Sequence, residues 1–80
     1  MDYVVLAQSR DYAAVLQAQD ALTLGRTQLQ DADPNRRTWT IDSLKAARRW
    51  WRLEARDLEL DGRAEVVEID AILKELTRDN

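Results

Sequence analysis

Apolar positions recur every three or four residues along most of this chain, and that period predicts helices. The first lies in "SRDYAAVLQAQDALTLG". Ser9 is placed to cap its start, Asp11 favours the positive end of its dipole, and Tyr12, Val15, Leu16 and Leu22 fall near one face. Gly25 stands where a left-handed C-terminal cap is expected. Asp2 offers an earlier cap, which would draw "YVVLAQ" into the same helix.

The period then changes. In "RTQLQDADPNRRTWTI", Thr27 and Leu29 alternate with polar residues, as do Trp39 and Ile41. "DADPNR" between them reads as a turn, with Pro34 supplying a fixed φ and Asp33 and Asn35 flanking it. Two such runs about a turn predict a short β-hairpin. A lone hairpin is marginal in water, so it is expected to lie on the helices with Leu29, Trp39 and Ile41 turned inward.

After Thr40, a candidate cap, with Asp42 in the first turn, the helical period returns in Leu44, Ala47, Trp51, Ala55 and Leu58. Asp61-Gly62 looks like a stop, yet Gly62, Val66, Ile69, Leu73 and Leu76 continue the stripe without losing register. A single glycine costs only about 1 kcal/mol inside a helix. One helix of about 35 residues, near 50 Å long, is therefore favoured over two helices bent at Gly62. Either form leaves a stripe longer than so small a globule can cover, which points to a partner.

Composition narrows the chemistry. The 80 residues begin with Met and fit one small domain, whose core rarely contributes more than about 3–5 kcal/mol. Cysteine and histidine are both absent, which excludes disulfides, thiolate or imidazole metal sites and nucleophiles activated through either residue. The absence of cysteine suits a reducing compartment. No signal peptide and no apolar run of membrane-spanning length is recognisable. The formal charge of −3 hides blocks: residues 1–35 carry −3, residues 36–56 carry +5 and residues 57–80 carry −5. Opposed blocks can make copies of a chain complementary to each other.

The candidate sites follow from this distribution. In "SLKAARRWWRLEAR", Lys45, Arg48, Arg49, Arg52 and Arg56 share a face that could meet phosphates while a tryptophan stacks on a base. The acidic surroundings argue instead for a protein interface or a solvated basic face. Trp50 and Trp51 lie about 100° apart on a helix, so one stripe cannot centre both. Trp and Arg dominate interface hot spots, which makes Arg48, Arg49, Trp50 and Arg52 interface candidates, together with the stripe Val66, Ile69, Leu73 and Leu76. Trp39, Ile41, Leu44 and Trp51 are assigned to the core. Glu65, Glu68 and Asp70 have no calcium-loop spacing and read as the wet face of a helix. No pocket for acid–base work is implied, so neither an enzyme nor a cofactor is expected.

The order of helix, glycine, short hairpin and capped helix carries a resemblance. "ALTLG", "RRTWT" and "TIDSLKAARRWW" stand in the places of the corresponding motifs in the gpW-like head–tail joining (head completion) proteins of tailed bacteriophages and prophages, and residues 9–60 resemble that family. The resemblance implies an α+β fold: two antiparallel helices packed with a short β-hairpin, the second helix extended or followed by a third. It divides the chain into a gpW-like domain, 1–60, and an acidic amphipathic helical extension, 61–80, which departs from the family's basic tail. It also implies a structural head–tail connector of the virion neck, assembled in the host cytoplasm. Such a protein self-associates as a ring between the phage portal protein and a tail-side connector or tail terminator, with DNA passing through but not specifically bound. The competing readings are a small regulatory DNA-binding protein using Arg48, Arg49, Arg52 and Arg56, and a helical dimerisation module.

Overall fold

The computed structural model describes residues 10–78, in which the chain forms three helices: α1 (Arg10–Gln30), α2 (Arg37–Arg49) and α3 (Arg63–Leu76). There is no strand among the described residues, so the α+β expectation is corrected to an all-helical fold. The proposed caps Asp2 and Ser9 lie outside the described residues.

The hairpin fails for a physical reason. Its two arms are too short for a period of two to be told from a helical face, and each is absorbed by the helix beside it. Thr27 and Leu29 remain in α1, while Trp39 to Ile41 lie in the first turns of α2. The turn between them is built as expected around Asp33, whose Oδ1 accepts the Asn35 N–H at 3.0 Å and whose carbonyl accepts the Arg36 N–H at 3.0 Å. Gln28, a buried polar residue of α1, donates its side-chain amide to the same carbonyl at 2.9 Å. This ties the turn to the end of α1. Thr40 is consequently no cap: it is 1% exposed and sits inside α2. Leu29 and Trp39 do not point inward, being 47% and 55% exposed, while Ile41 does, at 8%.

Gly25 is not a helix stop either. The helix runs through it, and no glycine among the described residues has positive φ. A Cβ there would lie 3.0 Å from Ile72 Cγ2 and 3.1 Å from Leu44 Cδ1. Gly25 thus marks the point where all three helices come closest, and its missing side chain makes room for two buried ones. Arg26 and Glu68 pair across α1 and α3, Arg48 and Asp70 across α2 and α3. Arg37 at the start of α2 donates to the Leu76 carbonyl at the end of α3, at 2.7 Å. The last two contacts set α2 antiparallel to α3. The core is Ala18, Ala21 and Leu22 from α1, Leu44 and Ala47 from α2, Trp51 and Ala55 from the segment after it, and Ile69 and Ile72 from α3.

The favoured single helix over the second half of the chain is corrected to two. After Arg49 the backbone widens into one π-helical turn, Trp50–Glu54, in which the Ala55 N–H bonds to the Trp50 carbonyl. It then tightens to a 3₁₀ turn, Ala55–Leu58, and ends at Glu59, which takes the left-handed conformation (φ 59°, ψ 30°). Asp61 restarts the helix: its Oδ1 accepts the Arg63 N–H at 3.1 Å, so the supposed stop is a start signal. The stripe keeps its register through all of this and folds back on itself. Ala55 and Ile69 are each fully buried, on opposite sides of the reversal. The extension assigned to 61–80 therefore supplies Ile69 and Ile72 to the same core as α1 and α2.

Candidate interaction surface

An open groove of about 790 Å³ lies between α1 and α2. Small side chains line much of it, Ala14, Ala18 and Ala21 from α1 and Ser43, Ala46 and Ala47 from α2, with Gln17, Asp20, Thr23 and Leu24 of α1 beside them. Two indoles bound its α2 wall, Trp39 toward the turn and Trp50 toward the π-helical segment. Trp39 on its rim is 55% exposed, and Leu53 one turn beyond Trp50 is 54% exposed.

Both adjacent tryptophans find a place. Trp51 is buried, and Trp50 packs half-buried against it, edge to face, with ring centroids 4.9 Å apart and planes at 82°. The wider π-helical turn opens the angle at which the two rings leave the backbone. The indole N–H of Trp51 is buried without a partner among the described residues, a cost of about 1–3 kcal/mol set against the area its ring buries.

The interface candidates from sequence separate into two groups. Ile69 is fully buried in the single chain, and Val66, Leu73 and Leu76 are half-buried against the same core. Placing this stripe at an interface is corrected: α1 and α2 cover it. The buried face also turns toward Ile72, which the stripe omitted, because α3 packs on two helices at once. Arg48 is half-buried and bonded to Asp70, so part of the charge opposition that suggested pairing between copies is satisfied within one chain. Arg26 and Glu68 do the same on the other side, with Nε–Oε2 at 2.7 Å and Nη2–Oε1 at 2.6 Å. These hydrogen bonds, and secondarily the charge attraction, hold the Glu68 carboxyl below its usual range and raise the Arg26 guanidinium. Hydrogen bonds from Arg63 likewise lower Asp61.

Arg49 and Arg52 are exposed, as are Lys45 and Arg56, and none of these four cations has a carboxylate partner among the described residues, while Trp50 is half-buried against the core. Sequence reasoning missed Trp39 and the alanine lining. The signal was present: Trp39, Ser43, Ala46, Trp50 and Leu53 follow steps of four, three, four and three, a second stripe beside the core one. Among the described residues no helix is long and apolar enough to cross a membrane, and no group of three or more acidic side chains is placed to hold a metal ion. No protein-family model, no curated protein and no solved structure matches this chain.

Proposed function

We propose that this chain is a structural interaction module, which works by seating another polypeptide on the α1–α2 groove. The observation that carries this reading is the groove itself: an alanine-rich lining bounded by an exposed Trp39 and a half-buried Trp50. Tryptophan at the rim of an apolar concavity is the composition of an interface hot spot. Arg49 and Arg52, exposed and adjacent in sequence to the Trp50–Trp51 pair, offer polar contacts beside it.

The particular assembly we propose is the neck of a tailed phage or prophage, with the phage portal protein and a tail-side protein as partners and further copies of the chain beside it. Its support is the order of motifs over residues 9–60, less the hairpin, which the helical fold removes. The general reading does not depend on it.

The test is binding of the purified chain to the portal and tail-side proteins encoded beside it, followed by native mass measurement. Binding is expected, and Trp39→Ala is expected to weaken it at least tenfold while leaving the helical signal intact. Duplex DNA affinity at physiological salt that falls steeply as salt rises, and is lost when Lys45, Arg49, Arg52 and Arg56 are neutralised, would instead make the basic face a phosphate-binding surface and overturn the proposal.

A further inference from the structure

We infer that the occupant of this groove is a second copy of the chain, its α2 packed antiparallel on the first about a two-fold axis at Ala46. The inference rests on the reading of the groove as an interface and names what fills it.

The first argument is size. Along the outer stripe the side chains run large, small, small, large, large: Trp39, Ser43, Ala46, Trp50, Leu53. When two such stripes run antiparallel about Ala46, Trp50 of each copy faces Ser43 of the other, and Trp39 faces Leu53. Bulky rings then fall on hydroxymethyl and methyl groups, as knobs fall into holes. The alanines of α1 and α2 line the open groove beside this stripe.

The second argument is charge. Asp42 and Arg49 are exposed, and each lies one turn from Ala46, on either side of it, along the solvent edge of the stripe. Neither has an ion-pair partner among the described residues. Antiparallel pairing sets Asp42 of each copy against Arg49 of the other, twice by symmetry. In a parallel arrangement Asp42 and Arg49 would lie on opposite edges of the contact and would not meet, so their pairing favours the antiparallel form. The same two residues thus select the orientation as well as the partner. This contact is isologous and closes at two copies, unlike the head-to-tail contact of a ring.

Sedimentation equilibrium of the full chain over a rising concentration series tests it. A monomer–dimer equilibrium is expected, doubling the 9.3 kDa of the chain. Ala46→Glu, on an exposed helical position, is expected to abolish the dimer by setting two carboxylates on the axis. Asp42→Arg and Arg49→Asp are each expected to weaken it by about tenfold, and the double swap to restore it to within about threefold. Circular dichroism confirms that each variant is folded. The inference is overturned by a chain that stays monomeric at every concentration, by a dimer indifferent to Ala46→Glu, or by a double swap no tighter than the single ones. A monomeric chain that still binds the portal or tail-side protein through Trp39 would remove the second copy and leave the interaction module standing.

Discussion

Replacing Gly62 by alanine sets the two accounts of the second half of the chain against each other, because they give opposite signs. Inside one continuous helix, alanine in place of glycine stabilises by about 1 kcal/mol. In the folded chain Gly62 is instead pressed against Trp51: a Cβ would lie 2.8 Å from Cε3 of the ring, 2.9 Å from the Trp51 carbonyl oxygen and 3.1 Å from its Cβ. Ordinary carbon contacts are about 3.5–4.0 Å, so the methyl arrives roughly 0.7 Å too close. Neither neighbour can swing aside, since one is backbone and the other a ring only 6% exposed. Overpacking of this kind costs about 1–3 kcal/mol. The Gly62 backbone, at φ −98° and ψ 13°, is open to alanine, and the stiffer unfolded chain returns about 0.4–1 kcal/mol. The net loss lies between about 0 and 2.6 kcal/mol, centred near 1.3, which for a domain of this size lowers Tm by roughly 5–10 °C. Thermal unfolding followed by far-UV circular dichroism measures it. Gly25→Ala is the comparison: its new Cβ meets side chains only, at 3.0 Å from Ile72 and 3.1 Å from Leu44, no backbone atom, and alanine is the better helix former inside α1, so its loss is smaller. If Gly62→Ala melts at or above the parent temperature, the close packing of the reversal on Trp51 is wrong and the straight helix returns.

Ile69→Ala removes a fully buried side chain and is expected to cost about 2–5 kcal/mol, comparable to the whole stability of such a domain, so urea titration should find it largely unfolded. Val67→Ala, at a position 69% exposed, should stay within about 0.5 kcal/mol of the parent; equal midpoints for the two variants would refute the burial of the α3 stripe. Glu68 has its carboxyl pKa lowered below 4.5 by the hydrogen bonds from Arg26. Its contribution to stability is therefore complete above that value and lost as pH falls through the lower folded one. Unfolding midpoints measured from neutral pH downward should show this acid loss diminished in Glu68→Gln; an unchanged pH dependence would remove the pair from the account. The partly exposed Arg48–Asp70 bridge should matter little, with Asp70→Asn costing no more than about 1 kcal/mol in the same titration.

The residues that pattern alone placed well are those whose role is local or periodic. The Asp33-Pro34-Asn35 turn forms where the composition put it, because Asp33 bonds its own neighbours whatever surrounds it. Leu44 and Trp51 are core because they lie on a helical face with strong apolar contrast. Arg49 and Trp50 were legible as surface candidates for the same reason, and both sit beside the groove or line it. Trp39 was not, since an apolar ring next to a turn is consistent with burial until a neighbour of adequate height is shown to cover it.

By itself the amino-acid order determined that helices dominate, where the first turn lies, and that one unbroken apolar register runs from Leu44 to Leu76. Only the tertiary structure decided that this register belongs to two helices facing each other and a third lying across both. Periodicity reports the direction in which a side chain leaves its own helix axis, and it is unchanged when the axis turns back at Glu59. What lies opposite a face depends on contacts between distant segments, such as Gly25 with Ile72 and Trp51 with Gly62, where the absence of a side chain lets the neighbour pack closely. Those contacts consume the stripe that looked unsatisfied and leave bare the one beside it.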